Sequence, residues 1–247
     1  MKVHVLEDAQ KLGEQAAEHA ANIINELLAK QDKVRLVLST GASQFETLSE
    51  LVKKNIEWSR IEMFHLDEYI GLPESHPASF RKYLKERFVQ LIPLGKVHFV
   101  NGEGNITEHL EELTREITKE PVDLALIGIG ENGHIAFNDP PADFETKQSY
   151  MVVDLDDICK KQQVGEGWFP TVEDVPKQAI TMTVHQIMKS RTILSCVPNK
   201  VKAKAIREFF ENDIDHRFPS TIMKSHPNLT LYLDKQSASQ TDPKWLL

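Results

Sequence analysis

The chain has 247 residues, of which 40% are hydrophobic and 27% charged, a balance typical of globular proteins and unlike that of disordered chains. Its 29 Lys and Arg residues stand against 37 Asp and Glu residues, so the formal net charge is -8, which argues against a nucleic-acid partner. The polar amino terminus lacks the apolar segment of a secretory signal, and no window approaches the ~18 apolar residues of a membrane span.

The two cysteines, Cys159 and Cys196, lie far apart and show no metal-ligand spacing. Two cysteines in a chain of this size do not make a disulfide framework, so we expect reduced thiols and a cytoplasmic protein without a membrane partner. The length suits one large core, and we expect residues 1–247 to form a single domain. The sequence leaves open whether copies of the chain form a homo-oligomer.

Helix-like and strand-like segments alternate along the first half of the chain. The helical segments carry apolar residues at every third or fourth position, whereas the strand segments are short apolar runs. In chain order, the pattern predicts a strand at 3–6, a helix at 8–30, a strand at 34–39, a helix at 44–54, a strand at 61–66, a helix at 79–91, a strand at 97–100, a helix at 106–119 and a strand at 122–129. This alternation is typical of a three-layer α/β fold in which helices cover both faces of a mostly parallel, Rossmann-like sheet.

The alternation is interrupted at about 151–178, where Gly, Pro and charged residues are mixed. We expect an irregular excursion that acts as a lid, because long loops in compact proteins are commonly functional. The polar tail beyond Asp234 is expected to fray. Between lid and tail, the pattern predicts strands at 179–183 and 192–197, a helix at 200–210 and a strand at 229–233.

A glycine turn with hydroxyl side chains follows the predicted strand at 34–39. Ligands of parallel α/β sheets bind at the carboxyl ends of strands, so this position favours a binding site. Thr40, Gly41, Ala42 and Ser43 precede a predicted helix. Exposed backbone N–H groups, hydroxyl donors and the helix dipole together suit an anion. The alternative is that Ser43 only caps the helix.

Adjacent carboxylates, Asp67 and Glu68, stand at the end of the next predicted strand. A carboxylate in this position can act as a general base toward a carbon-bound proton. Taken alone, the pair is more typical of solvated loop charges.

A glycine-rich loop, GIGENGHIAFNDP, follows the predicted strand at 122–129. It presents His134 with a carboxylate, Asp139, five residues later, a spacing that allows the carboxylate to orient and charge-stabilise the imidazole. A lone histidine is more commonly structural, and the glycines do not match the dinucleotide-binding fingerprint. No cluster of metal ligands is visible in the sequence, so we expect neither a metal nor a cofactor.

Three segments in this order, TGAS, FHLDEYIGL with its continuation HPASF, and GIGENGHIAFNDP, resemble the glucosamine-6-phosphate deaminase/isomerase family. The family's patterns are close to TGSTP, NLDEYVGL with HPxSY, and GxGxxGHIAFNEP, and the similarity extends over about residues 34–234. The related 6-phosphogluconolactonases share the glycine loop, but the DEYIGL and HIAFN segments are similar to the deaminases.

The resemblance implies catalytic roles for three residues. Asp67 would be the base at C2, His134 would open the pyranose ring, and Asp139 would be the carboxylate partner of the histidine. Asp139 stands where the family usually has Glu, which shortens the side chain by one bond of about 1.5 Å. Asn132 stands where many members have Asp. A misplacement near 1 Å can cost roughly a hundredfold in rate.

The resemblance also implies a phosphate site made by Gly41, Ser43 and Lys200. Glu68, Gly133 and Trp168 are further candidate contacts to the substrate. The family carries an arginine in the lid that clamps the phosphate, and this chain has none in the corresponding segment, VGEGWF.

Two nearby cations, Lys160 and Lys161, are candidate substitutes for that arginine, although a lysine offers a point charge rather than a bidentate fork. Trp168 is compatible with stacking on a sugar face and equally with anchoring the lid to the core. The substrate's phosphate end is therefore where this sequence departs most from the family.

The activity that the resemblance implies is isomerisation of glucosamine 6-phosphate with loss of ammonia, which yields fructose 6-phosphate. The partner of this protein would then be a small sugar phosphate. Three alternatives stay open: a galactosamine-6-phosphate isomerase, a lactonase in which the same histidine activates water, and a non-catalytic sugar-phosphate sensor.

Overall fold

A computed structural model describes residues 1–246 of the chain. The strands, in chain order, are β1 (Lys2–Leu6), β2 (Val34–Leu38), β3 (Ile61–His65), β4 (Asp67–Tyr69), β5 (Lys96–His98), β6 (Leu124–Ile127), β7 (Tyr150–Asp154), β8 (Gln178–Met182), β9 (Thr192–Val197) and β10 (Leu229–Asp234). The α-helices are α1 (Ala9–Leu28), α2 (Phe45–Leu51), α3 (Phe80–Arg87), α4 (Ile106–Ile117), α5 (Asp157–Gly165), α6 (Val184–Met188) and α7 (Ala203–Glu211). None of these helices is long and apolar enough to cross a bilayer.

Seven strands form one parallel sheet in the order β1-β10-β9-β6-β2-β3-β5. The direction in which the chain adds strands to the sheet reverses between β2 and β6. Strands β3 and β5 are added beyond β2 on one side, and β9 and β10 are added beyond β6 on the other. The carboxyl ends of β2 and β6 therefore border a crevice at a topological switch point, where open α/β sheets bind their ligands. The predicted parallel sheet is confirmed.

Helices cover both faces of this sheet, as predicted. Successive side chains of a strand point to opposite faces. Leu36 and Leu38 accordingly pack with residues of α1, α2 and α3, whereas Val37 packs in the cluster that contains residues of α4, α6 and α7. Every residue of β2 and β6 is buried, which explains why these strands are nearly continuous apolar runs.

The segment at 151–178 is more regular than predicted. Its first residues belong to β7, which pairs antiparallel with β8, and β8 pairs antiparallel with β4 in a separate three-stranded sheet. Helix α5 follows, and the side chain of Asp156 caps it by accepting from the backbone N–H of Cys159 at 2.6 Å. The expectation of an irregular excursion is therefore wrong for β7 and α5. Only Cys159 and Gln163 of α5 are buried, so its sequence lacks a clear apolar stripe.

The tail beyond Asp234 is also better ordered than predicted. Ser237 and Ala238 are buried, and the Asp234 carboxylate accepts from the backbone N–H of Ser237 at 2.7 Å. The backbone N–H of Lys235 donates to the carbonyl of Leu6, which ties the segment to β1. The expected fraying is thus wrong for residues 235–241, whereas residues 242–245 are exposed and Leu247 lies outside the described residues.

Arg35 is a charged residue in the middle of β2 and is only 2% exposed. Its Nε donates to Glu62 Oε2 at 3.1 Å, and its other nitrogens donate to backbone carbonyls at the end of α4, including that of Ile117 at 3.0 Å. The guanidinium lies 4.6 Å from the ring centroid of Phe64. One side chain thus supplies donors for helix carbonyls that would otherwise be unsatisfied and joins α4 to the sheet.

We predict that Arg35→Met lowers the free energy of unfolding by about 3–5 kcal/mol, because it removes the buried ionic partner of Glu62 Oε2 and the donor to backbone carbonyls at the end of α4. Urea denaturation at constant m value measures the change. Arg191→Met is the matched control, since the Arg191 side chain is exposed and its ion pair with Asp123, at 3.5 Å, should contribute about 1 kcal/mol or less. Equal losses in the two variants would contradict this role of Arg35.

Candidate active site

A cleft opens at the carboxyl ends of β2 and β6. It is lined by the turn at 39–43, by Asp67 with its neighbour Leu66, by the loop at 128–137, and by residues at the end of α5 and just after it. Lys202, directly before α7, completes the wall. The three motifs that resemble the family therefore meet at one place, below the end of α5.

Asp67 presents its carboxylate to this cleft from β4 and is 5% exposed. Its Oδ1 is buried and has no hydrogen-bond partner among residues 1–246. Burial raises the pKa of the Asp67 carboxyl well above its ordinary value, and the charges of Glu68 and Asp139 raise it further. Once ionised, such a carboxylate is a stronger base than one in water.

Glu68 points the opposite way and is fully buried. Its two oxygens accept from five donors: the backbone N–H groups of Tyr69, Phe80 and Arg81, the hydroxyl of Ser79 and Nε of Arg81, at 2.9–3.2 Å. Glu68 thus holds the start of α3 and does not line the cleft. This placement corrects the expectation of a substrate contact: successive residues of a strand face opposite sides, so only one of two adjacent carboxylates can face the ligand.

His134 lies in the cleft with its Nδ1 at 3.1 Å from Asp139 Oδ1. The same oxygen accepts from Asn132 Nδ2 at 3.1 Å, and Asn132 Oδ1 accepts from the backbone N–H of His134. Burial alone would raise the pKa of the Asp139 carboxyl, but the adjacent His134 imidazole and the hydrogen bond from Asn132 hold it below its ordinary value. The Asp139 carboxylate therefore stays ionised beside the imidazole. Nε2 is the ring nitrogen that remains available to a ligand.

The imidazole of His134 packs directly against the backbone of Gly130. A Cβ at this position would lie 2.2 Å from Cε1 and 2.3 Å from Nε2 of His134, so any side chain would displace the ring. The loop folds back through a hydrogen bond from the backbone N–H of Gly130 to the carbonyl of His134 at 2.9 Å. Gly133, expected to contact substrate, does not line the cleft; its carbonyl accepts from the backbone N–H of Ser220 instead.

The turn after β2 is open toward the cleft. Gly41 has φ of 101°, a conformation that favours glycine, and a Cβ there would meet nothing within 4 Å. The hydroxyl of Tyr83 donates to the carbonyl of Gly41 at 2.9 Å and fixes the turn. Thr40, Ala42 and Ser43 line the same wall at the start of a helical segment, where backbone N–H groups have no partners within the helix.

Lys202, and not Lys200, is the lysine of the cleft. Lys202 is 6% exposed and lines the wall, whereas Lys200 is exposed and lies outside it. The chain turns at Asn199, where φ is 80°, and residues 200–202 form a 3₁₀ turn. Residues two apart in such a turn face different directions, so Lys202 reaches the cleft wall and Lys200, the predicted phosphate contact, does not. Burial lowers the pKa of Lys202, opposed by the charges of Glu166 and Glu131.

Helix α5 covers the cleft beside Asp139. The thiol of Cys159 is fully buried next to the Asp139 carboxylate. Burial and the Asp139 charge raise the pKa of this thiol, so it stays protonated. Gln163 Oε1 accepts from the hydroxyl of Tyr69 at 2.7 Å, which ties the helix to β4. The helix is therefore joined to both sides of the cleft.

The residues after α5 supply the rest of the roof. Trp168 lines the cleft, and its Nε1 donates to Glu166 Oε2 at 3.0 Å. Lys160 and Lys161, the candidate substitutes for the lid arginine, do not line the cleft. The sequence does not mark Cys159, Gln163 or Glu166 as site residues, because the pattern does not predict helix α5, which brings them to the cleft.

A histidine and two carboxylates meet at the opposite end of the sheet. Glu62, His98 and Glu116 have ligand atoms within 4.8 Å of one another, a group that the sequence spacing did not indicate. Both carboxylates already face cations: Arg35 lies 3.1 Å from Glu62 Oε2, and Lys96 lies 2.9 Å from Glu116 Oε2. These ion pairs offset the charge that would attract a metal ion, so we assign the group to the ion-pair network around Arg35.

Comparison with known proteins gives the same family as the motifs. A profile described as glucosamine-6-phosphate isomerases/6-phosphogluconolactonase matches residues 7–231. A glucosamine-6-phosphate deaminase of Shouchella clausii (strain KSM-K16) is 36% identical over 237 residues, covering 92% of this chain and 93% of the relative. The glucosamine-6-phosphate deaminase of Thermoanaerobacter pseudethanolicus (strain ATCC 33223 / 39E) is 35% identical, covering 92% and 91%.

Solved structures extend this similarity to the fold. A monomeric glucosamine-6-phosphate deaminase superposes with a TM-score of 0.89 at 30% identity, covering 97% of this chain and all of the other. A 6-phosphogluconolactonase from Thermotoga maritima superposes with a TM-score of 0.79 at 20% identity, over 95% and 99% of the two chains, a likeness of fold alone. The resemblance drawn from three short segments is confirmed, and the chain belongs to the glucosamine-6-phosphate isomerase/6-phosphogluconolactonase family.

Proposed function

We propose that this protein converts glucosamine 6-phosphate and water to fructose 6-phosphate and ammonia. The observation that carries the proposal is that three side chains face one cleft. They are the buried carboxylate of Asp67, the imidazole of His134, whose Nδ1 lies beside Asp139, and the buried lysine Lys202. The relatives named above as glucosamine-6-phosphate deaminases support the substrate. Buried free thiols at Cys159 and Cys196 are compatible with a reducing, cytoplasmic location.

Ring opening is the first step, and we assign it to His134. The imidazole transfers the proton of the anomeric hydroxyl to the ring oxygen, which breaks the C1–O5 bond and gives the open aldehyde. Asp139 stabilises the positive charge that the imidazole carries between the two transfers. Because Nδ1 faces Asp139, the proton moves through Nε2.

Carbon-proton transfer is the second step, and we assign it to Asp67. The carboxylate takes the C2 proton of the aldehyde while a proton of the C2 ammonium passes to O1, which gives the enolamine. Asp67 then returns its proton to C1, which leaves a protonated imine at C2 and a hydroxyl at C1. Water then adds to C2, and ammonia leaves with the electron pair of the C2–N bond. The raised pKa of Asp67 matches both halves of the step, since the group must accept and then release a proton.

The phosphate end of the substrate is assigned to the turn at 40–43 and Lys202. This turn offers hydroxyl groups and backbone N–H donors, and Lys202 is a buried cation that forms no ion pair among the described residues. A buried ammonium without a partner is costly, so a bound anion would stabilise it.

Ammonia release from purified protein tests the proposal. Glucosamine 6-phosphate should release ammonia and yield the ketose phosphate in equal amounts, and galactosamine 6-phosphate tests the configuration at C4. Hydrolysis of 6-phosphogluconolactone without ammonia from either amino sugar would contradict it in favour of a lactonase. Ligand binding without turnover of any of them would contradict it in favour of a sensor.

We predict that Asp67→Asn lowers kcat by about 10²–10⁴-fold, because it removes the base while preserving its size. The acid limb of the wild-type kcat/KM profile should lie above the ordinary carboxyl range, since the base must be ionised and its pKa is raised. Asp213→Asn, at an exposed aspartate, is the control and should leave kcat and the profile unchanged.

The same substitution has a signed effect on stability. A carboxyl whose pKa is higher in the folded protein than in the unfolded chain lowers the stability of the fold once the pH rises above its pKa in the unfolded chain, about 3.9. Asp67→Asn should therefore unfold at higher urea concentration than wild type at neutral pH, and this advantage should vanish near pH ~4. A variant that is less stable than wild type at neutral pH would contradict the electrostatic cost assigned to Asp67.

We predict that Lys202→Ala raises KM for the phosphorylated substrate by about tenfold or more, since hydrogen bonds to charged groups contribute about 1.5–3 kcal/mol. Lys200→Ala is the matched control and should change KM by less than about twofold, because Lys200 is exposed outside the cleft. Steady-state kinetics on both variants decides between the two lysines. A larger effect at Lys200 would contradict the placement of the phosphate.

A further inference from the structure

The carboxylate of Glu166 lies at the cleft wall, although a cation in this position would attract an anionic ligand more strongly. It follows α5 directly as its C-cap and lines the cleft with Trp168 and Lys202. Its Oε1 accepts from Gln162 Nε2 at 2.8 Å and its Oε2 from Trp168 Nε1 at 3.0 Å. Two neutral donors thus fix the carboxylate, and no Lys or Arg of residues 1–246 forms an ion pair with it.

Helix stability gives no reason for a glutamate at this position. The carboxyl end of a helix carries a partial negative charge, so a carboxylate there is unfavourable and a cation is preferred. The charge of Glu166 acts on Lys202 and Tyr69, and Asp67 and His134 are the other titratable side chains that line the same cleft. Lys202 is the one Lys or Arg that lines the described cleft, so the site offers a phosphate little net positive charge.

Phosphate esters exist in two charge forms near neutral pH, with a second pKa of about 6. The monoanion keeps one P–O–H group and can donate a hydrogen bond, whereas the dianion can only accept. A sulfate ester is a monoanion without an acidic proton and also can only accept. An ionised carboxylate is an acceptor only, so it attracts the protonated phosphate and repels the other two forms.

We propose that Glu166 is a specificity-determining residue that accepts a hydrogen bond from the protonated phosphate oxygen of the substrate. The cleft then takes sugar phosphates as monoanions and rejects their dianions and the corresponding sulfate esters. Each oxygen of Glu166 has a second lone pair free for this bond, because each accepts only one protein donor. The inference rests on the proposed function in that it places the phosphate beside Lys202.

Calorimetric binding of 2-amino-2-deoxyglucitol 6-phosphate and of its 6-sulfate, which lack the C1 carbonyl and cannot be turned over, tests this selectivity. The full chain is compared with Glu166→Gln, which keeps the size of the side chain. Glu173→Gln is the control, since Glu173 is exposed on the same segment outside the cleft. Wild type and the control should prefer the phosphate by about tenfold or more below pH ~6, a preference that the variant should lose.

Affinity for the phosphate ester should also fall in wild type between about pH 5.5 and 8, as the monoanion disappears, and fall less in Glu166→Gln. The difference between the two proteins isolates Glu166, because both contain Asp67 and His134. Equal phosphate-to-sulfate ratios and equal pH dependence in wild type and Glu166→Gln would overturn the inference. Discrimination without ammonia release from wild type would overturn the proposed function while supporting the role of Glu166.

Discussion

The opposite orientation of two adjacent carboxylates is the constraint on which the site depends. Strand β4 alternates its side chains, so Glu68 enters a buried network with Arg81 and the start of α3 while Asp67 enters the cleft. The donors around Glu68 fix the strand, and Asp67 therefore cannot turn away to reach solvent. The pKa of Asp67 is raised because its carboxylate is buried, and the hydrogen bonds of Glu68 keep it in that position.

His134, the group that we propose opens the ring, is positioned by backbone geometry. The loop after β6 turns back at Gly130, and the absence of a side chain there leaves the space that the His134 ring occupies. Asp139 accepts a hydrogen bond from Asn132 and lies beside His134 and Cys159, so the shorter aspartate is contacted from three sides. Because Cys159 belongs to α5, the roof of the cleft and the orientation of the imidazole are physically connected.

The sequence predicted the parallel sheet and the three loops of the cleft because both depend on local patterns. Apolar runs mark buried strands, and glycine turns mark their ends. The roles of Glu68 and Lys202 were beyond such patterns: the first depends on which face of a three-residue strand is buried, the second on the direction of a 3₁₀ turn. Helix α5 was missed because its contacts are polar, through Cys159 and Gln163, rather than an apolar stripe.

The central claim is that ring opening and carbon-proton transfer belong to different residues, His134 and Asp67. Exchange of the C2 proton with solvent deuterium, measured for a pyranose substrate and for an open-chain analogue, tests it most directly. Asp67→Asn should abolish exchange with both ligands. His134→Gln should impair exchange with the pyranose and largely spare the open-chain analogue. Exchange at the wild-type rate in Asp67→Asn would contradict the account.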